Sequence, residues 1–442
     1  MLPRQALDIL HRLNENGYEA YAVGGCVRDQ LLGREPEDWD MTTSARPEQV
    51  MALFAGHCIP TGLQHGTVTV RQEHRSFEVT TFRTDGVYSD HRHPDAVAFS
   101  NSLEEDLRRR DFTIGAMAMG ADGRIVDLFG GQEDLRNGVI RCVGDAERRF
   151  DEDALRIMRA LRFAAVLGFS VAPDTADAIR KKAEDLRKIA VERIRVEMDK
   201  LLCGAHAAEV LLAFPDVIAV FLPEMRDAVG FQQKNPHHCY DVWEHTVRAA
   251  AAAPAEPMLR WTLLFHDLGK PKCFTQDEAG VGHFYGHGRV SCRLAAEATT
   301  RLKFDNASRE RIELLVTWHD RYIPLTHRSF RRALNALGEE ALRQLLAVKR
   351  ADNMAQAPAY RSRLEKLDQA ERLLDELLAA DACFSLKQLA VNGRDIMALG
   401  LRGQAVGRML QTLLGQVLEE RLPNERSALL AWATARLNRE KL

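Results

Sequence analysis

Asp38-Trp39-Asp40 is the first stretch of this chain whose residue types and spacing suit a reaction. On an extended strand, residues two apart share a face, roughly 6–7 Å from one another at about 3.3 Å rise per residue. Carboxylates so placed can share two Mg²⁺ ions about 3.5–4 Å apart, the arrangement used for in-line phosphoryl transfer. A third acid, Glu78, sits among β-branched residues between Arg75 and Phe82; it either faces the same metals or is a solvated strand acid. A second chemistry is written by His245, His266-Asp267, His287, His319 and Asp352. Imidazole and carboxylate together suit transition metals, and two adjacent ligands plus residues from other helices can hold one or two ions. Spacing leaves open which of His283, His287 and His319 take part.

These groups need elements to aim them. Tyr18 to Val23 reads as a strand, ended by Gly24-Gly25, where positive φ or close approach to a ligand excludes a Cβ. Val27 to Leu32 reads as a short helix whose first turn points backbone N–H groups at an anion. Gly62 to Arg71 and Arg75 to Phe82 read as paired strands turning at Glu73-His74. Arg83 to Pro94 is too polar and turn-rich for regular structure and reads as a loop near the site. Leu103 to Asp111 opens a helix with acids before bases, as the helix dipole favours. Its arginines are either a solvated face or the charge-assisted donors that a triphosphate needs.

Phe150 to Phe169 reads as one helix. Ile157, Met158, Leu161, Ala164 and Ala165 form its apolar arc; Arg156, Arg159 and Arg162 form the other, with Asp153 at the border. Residues three apart are neighbours on a helix. Asp153 only accepts hydrogen bonds and Arg156 only donates them, so the pair can complement the amino donor and ring-nitrogen acceptor of cytosine and adenine. Uracil or guanine would leave mismatched groups, at about 1–3 kcal/mol for each buried unsatisfied partner. Beyond residue 170 no strand run is expected. Asp177 to Leu202 reads as a basic helix, and Gly400, Gly403 and Gly407 punctuate the last helices.

At 442 residues several domains are expected. A net charge of -3 announces no nucleic-acid partner globally, so any RNA surface must be a local basic patch. The eight cysteines include no C-x-x-C pair, which fits reduced thiols in a cytosol. With no signal peptide and no long uncharged apolar run found, a cytoplasmic location without a membrane role is expected.

The ordered set of strand, double glycine, Arg28-Asp29 and D-W-D resembles the nucleotidyltransferase superfamily, in particular the class II tRNA nucleotidyltransferases (CCA-adding enzymes) and bacterial poly(A) polymerases. The resemblance implies an α/β N-terminal nucleotidyltransferase head with a polymerase-β-like palm (1–145). An all-α neck (146–220), an HD body (221–358) and a tRNA-binding tail (359–442) would follow. It implies that Asp38 and Asp40 hold the catalytic Mg²⁺ and that Gly25 and Arg28 hold the triphosphate. Arg109 to Ala116 is similar to the family's RRDFTINA, with Gly115 in place of asparagine, so Arg110 carries over as a nucleotide contact. EDALRIMRALRFAA looks like the nucleotide-selecting helix, contributing Asp153, Arg156, Arg159 and Arg162. Arg83, Asp85, Gly86, Tyr88, Asp90 and Arg92 match a loop that CCA-adding enzymes keep, implying A as well as C addition. The His/Asp series over about 235–355 resembles the HD phosphohydrolase superfamily, and the last segment resembles the tail that grips tRNA. CTP, ATP and tRNA are the partners so implied. A poly(A) polymerase, an HD phosphohydrolase with a nucleotide-binding head and a non-catalytic tRNA chaperone are the rival readings.

Overall fold

The computed structural model describes residues 2–73, 75–85, 97–380 and 382–440. Along Arg75–Thr81 buried Phe77 and Val79 alternate with more open neighbours, as a half-buried strand requires, whereas Val68, Thr69 and Val70 are buried in succession. In chain order the strands up to Asp127 are β1 (Ala20–Val23), β2 (Asp40–Thr43), β3 (Cys58–Gly62), β4 (Thr67–Gln72), β5 (Arg75–Thr81), β6 (Arg83–Asp85), β7 (Val97–Phe99), β8 (Met117–Met119) and β9 (Ile125–Asp127). Seven of them form one mixed sheet in the order β3-β4-β5-β2-β1-β8-β9. β1 runs antiparallel to both β2 and β8, whereas β2 pairs in parallel with β5 and sets Asp40 opposite Glu78. Val23, Phe82, Leu103, Leu107 and Ala118 close a small core that seats the helix Leu103–Arg108. Ser102 caps that helix by accepting the Glu105 N–H, and Glu104, Glu105 and Asp106 occupy its first turn.

Several boundaries differ from those expected. The first of the paired strands is split: β3 ends at Gly62, a 3₁₀ turn spans Leu63–His65, and β4 resumes at Thr67. Arg83 begins not a loop but β6, which pairs with β7. The helix expected over 150–169 is two, Ala146–Glu152 and Leu155–Leu167. Asp153 is extended between them (φ -144°, ψ 104°), and its carboxylate accepts the Leu155 N–H at 2.9 Å. The 177–202 segment divides into Pro173–Lys182, a 3₁₀ stretch Ala183–Lys188 and Val191–Leu202. Short strands also occur beyond 170, at Ser170–Val171, Thr275–Gln276 and Gly282–His283.

The chain divides into two compact units. One runs to Arg226 and includes Arg301–Lys303; the other comprises Asp227–Thr300 and the chain from Phe304 onward. The second unit is largely helical, and two of its buried clusters are well defined among the described residues. Phe330, Leu342, Leu345, Leu346 and Leu374 lie in one; Ile396, Leu413, Leu414 and Leu429 lie in the other. Among the described residues, no helix is long and apolar enough to cross a membrane.

Candidate functional sites

Asp38 lies in the segment leading into β2, Trp39 is buried and Asp40 opens the strand with its side chain exposed. The exposed-buried-exposed alternation puts both aspartates on one face, as their spacing predicts. Glu78 reaches that face from β5 through its register with Asp40. Partial desolvation, then the charge of Glu78 and that of Asp38, lift the Asp40 carboxyl above its ordinary range, opposed by Arg110. These three acids nevertheless do not gather into one of the tight carboxylate and imidazole clusters that occur elsewhere in the described chain.

Gly24 answers for the double glycine. It has a φ of 82°, and a Cβ there would stand 3.0 Å from Nη1 of Arg110. Gly25 begins the helix Gly25–Leu31 without positive φ, and a Cβ there would make only an ordinary contact with Arg28. Arg110 is held by a residue that sequence reading did not single out, Asp106. This fully buried carboxylate takes Arg109 at 2.8 Å, Arg110 at 3.5 Å and the Thr42 hydroxyl at 3.0 Å. Burial alone would raise the Asp106 carboxyl, but Arg109 and Arg110 outweigh it and hold the group below its usual range. A Cβ at Gly115 would meet only Asp111, at 3.7 Å, so the fold itself does not demand glycine there.

The basic arc of the expected selecting helix is not a solvated face. Arg156 is nearly buried, donates to Glu152 at 2.7 Å and caps the backbone carbonyls of Arg149 and Arg109 at 3.1 Å. Arg159 pairs with Asp111 at 2.7 Å and Arg162 with Glu197 at 3.1 Å. Burial would raise the Asp111 carboxyl too, yet Arg159 and Arg156 hold it low. Phe163 gathers three guanidinium groups, those of Arg28, Arg159 and Arg162 at 5.0, 5.5 and 4.1 Å from its ring centre. Arg28 itself forks onto Asp29 at 2.8 and 3.0 Å. Asp153 is not a same-helix neighbour of Arg156, and its second oxygen pairs with Arg193 at 3.2 Å. Sequence reasoning singled out none of the three carboxylates, Asp111, Glu197 and Glu152, that hold these arginines: Asp111 lies 48 positions from Arg159, whereas Glu152 is only one helical turn from Arg156. Gly86, Tyr88, Asp90 and Arg92 of the expected loop lie outside the described residues.

In the second unit the His/Asp series does converge. Ligand atoms of His245, His266, Asp267 and Asp352, and those of Asp267, His287 and His319, form two groups with every atom within 4.8 Å of the others. Asp267 belongs to both. One of its oxygens lies 3.3 and 3.2 Å from Nε2 of His245 and His266, the other 3.3 and 3.8 Å from Nε2 of His287 and His319. In each histidine Nδ1 lies against a backbone carbonyl (Ala355, Leu263, Phe284 and Val316), which leaves Nε2 toward the cluster. Opposed by burial but carried by Asp267 and Asp352, His266 is pushed up to about 10; Asp267 itself is held well below its usual range. His283 instead turns to Asp277 at 2.8 Å, which separates it from the cluster. Gly269, two residues after Asp267, is enforced by packing: a Cβ there would sit 2.6 Å from the His287 carbonyl oxygen. Lys270, also not foreseen, is buried and lies 2.6 Å from Asp267.

A protein of Lactiplantibacillus plantarum described as a CCA-adding enzyme is 37% identical over 436 residues, covering 97% of this chain and 95% of that protein. The chain belongs to the CCA-adding enzyme family. A second such enzyme, from Leuconostoc mesenteroides, is 54% identical over 226 residues, but that match takes in 50% of this chain and only 56% of the relative. Thus the chain spans little more than half the length of some relatives it matches. Family models for the poly A polymerase head domain, the RNA and SrmB-binding site of polymerase A and the tRNA nucleotidyltransferase domain 2 match residues 20–141, 168–228 and 295–433. The crystal structure of the Bacillus stearothermophilus CCA-adding enzyme in complex with CTP superposes with a TM-score of 0.75 at 34% identity, covering 100% of this chain and 99% of that one. A Thermotoga maritima CCA-adding enzyme complexed with tRNA shares the fold at 19% identity and a TM-score of 0.60, over 98% of this chain and 95% of its own.

Proposed function

We propose that this chain adds C, C and A to the 3′ end of tRNA from CTP and ATP, releasing pyrophosphate. The observation that carries this reading is the parallel register of Asp40 with Glu78, with Asp38 on the same face and Arg110 packed over Gly24. The donor set fits Mg²⁺: three oxygen ligand groups lie on one face, and Asp40 is lifted by partial burial and by its acidic neighbours. Asp38 and Asp40 would hold it, with Glu78 beside them. When bound, Mg²⁺ would activate the terminal 3′-hydroxyl and stabilise the departing pyrophosphate. Arg28, with the backbone at Gly25, and Arg110 neutralise the triphosphate. Asp153 and Arg156 read the base, which requires them to exchange Arg193 and Glu152 for its pairing edge. Arg159 and Arg162 flank the nucleotide. We assign residues 1–145 to the head, 146–220 to the neck, 221–358 to the HD body and 359–442 to a tail that grips tRNA in the cytoplasm.

Purified protein incubated with Mg²⁺, labelled CTP and ATP, and tRNA lacking its CCA end tests this. Addition of C, C and A in order, with UTP and GTP rejected, is the expected outcome. Repeated A without C would instead make the chain a poly(A) polymerase, and no incorporation would refute the proposal.

A second reading is favoured by the convergence of five ligand residues around Asp267. The set fits one or two transition-metal ions: every Nε2 is directed inward, and that of buried His266 lacks an aligned hydrogen-bond partner. Such a centre would supply an activated water for hydrolysis of a phosphate ester or cyclic phosphate. Lys270 holds Asp267 in place, and Gln233 at 2.8 Å holds Lys270. Metal analysis of the purified protein and release of p-nitrophenol from p-nitrophenyl phosphate test this activity; absence of both would refute it.

A further inference from the structure

The cluster opens into a cavity of about 690 Å³, within the range of ~300–1,000 Å³ that takes whole small ligands and far more than a phosphate group fills. Two tyrosines line it, and both are almost fully exposed: Tyr285 at 81% and Tyr322 at 83%. Single apolar side chains at a surface are ordinary. Two open phenol rings bordering one cavity are not accounted for by packing. Tyr285 is already a flat platform, lying parallel to the His283 ring at 5.4 Å between centres and 9° between planes. Deeper in the wall, Asn353 is 3% exposed and donates its amide to Gln356 and to the Tyr360 carbonyl, while its Oδ1 has no hydrogen-bond partner. Arg363 and Lys366 add cations to the same lining. The ligand that fits has a phosphate for the ligand cluster, a donor such as a ribose hydroxyl or exocyclic amine for Asn353, and a flat π-face for the tyrosines.

We propose that Tyr285 and Tyr322 form a base-stacking platform, so that this cavity takes phosphorylated nucleosides in preference to phosphate esters without a base. The proposal rests on the hydrolase reading only in placing the phosphate at the His/Asp cluster. Stacking of a base on an aromatic side chain contributes about 1–3 kcal/mol, which corresponds to at least about a fivefold gain in affinity.

The test is titration calorimetry of the full chain with Mn²⁺, using adenosine monophosphate and ribose 5-phosphate, which differ in the base. Wild type should bind the nucleotide at least about fivefold more tightly. The double variant Tyr285→Ala/Tyr322→Ala should lose that preference, while Tyr285→Phe/Tyr322→Phe should keep it. Nucleotide bound elsewhere in the chain would not respond to the tyrosines. Equal affinities in wild type, or a preference untouched by the alanine variant, would overturn the platform. Equal loss of both ligands in the alanine variant would overturn it as well, since that marks a structural role. A 3′-phosphorylated trinucleotide titrated in parallel decides the source: tyrosine-dependent binding stronger than that of the free nucleotide makes it an RNA end. Tyrosine-dependent preference in a protein that neither retains metal nor turns over p-nitrophenyl phosphate would uphold the platform and sink the hydrolase. Turnover without preference would do the reverse.

Discussion

Asp106 shows how much of the head depends on a fully buried residue. Its buried carboxylate fixes Arg109 and Arg110, and removing one partner of a buried charge pair costs about 3–5 kcal/mol. Asp106→Asn should therefore lower the unfolding free energy by about 3 kcal/mol at neutral pH, measured by urea denaturation. The pH dependence follows from the sign of the shift. A carboxyl held low in the folded state contributes fully above its unfolded value of about 4, and that contribution is lost as pH falls through the folded value. The wild type should thus lose stability below about pH 4 more steeply than Asp106→Asn. At Gly115 the opposite is expected: with room for a Cβ, Gly115→Asn should change stability by less than about 1 kcal/mol. The placement of Asp38 and Asp40 on one face was legible in the sequence because their spacing is local and regular; that of Glu78 was open between two readings until its register with Asp40 was seen, and Arg110 stood out only through the resemblance of Arg109 to Ala116. Asp106 was not, because LEEDLRRRD reads equally as a helix with its acids and bases in dipole order.

At the scale of elements, the break between Ala146–Glu152 and Leu155–Leu167 matters most for base choice. Helical periodicity runs unbroken through Phe150 to Phe169, so the sequence suggested one helix. Asp153 instead accepts the N–H of Leu155, two residues on, in a local turn that competes with helix continuation. Asp153→Ala should therefore act in two ways: a loss of about 1 kcal/mol from the missing hydrogen bond to Leu155, and a rise in UTP misincorporation relative to CTP. Sequencing of extended tRNA ends measures the latter, and unchanged discrimination would remove Asp153 from the base-reading pair. The second unit offers a cleaner element-level test in Gly269. Its close approach to the helix His287–Arg301 means that Gly269→Ala should push His287 from Asp267 and weaken metal retention, read by metal content after dialysis. The histidines were legible as a series, yet only the fold separates His287 and His319 from His283. That separation depends on which backbone carbonyl or carboxylate each ring meets, and sequence does not encode it locally.

At the scale of the whole molecule, the two chemistries occupy different compact units, with Asp38, Asp40 and Glu78 in one and the His/Asp cluster in the other. The α/β head followed by helices was legible from alternating strand and helix patterns giving way to helical ones. The division after Arg226 falls close to the boundary at 220/221 that the resemblance implies, although no glycine-rich linker marks it. We propose that tRNA extension depends on the head carboxylates and not on the His/Asp cluster. The most direct test is incorporation of labelled CTP into tRNA lacking its CCA end by wild type, Asp40→Asn and His266→Ala, each shown to be folded by circular dichroism. Asp40→Asn should fall by about a hundredfold or more, because the groups that would hold Mg²⁺ supply several kcal/mol of transition-state stabilisation. His266→Ala should extend tRNA as wild type does. Full extension by Asp40→Asn, with extension lost in His266→Ala, would contradict the account.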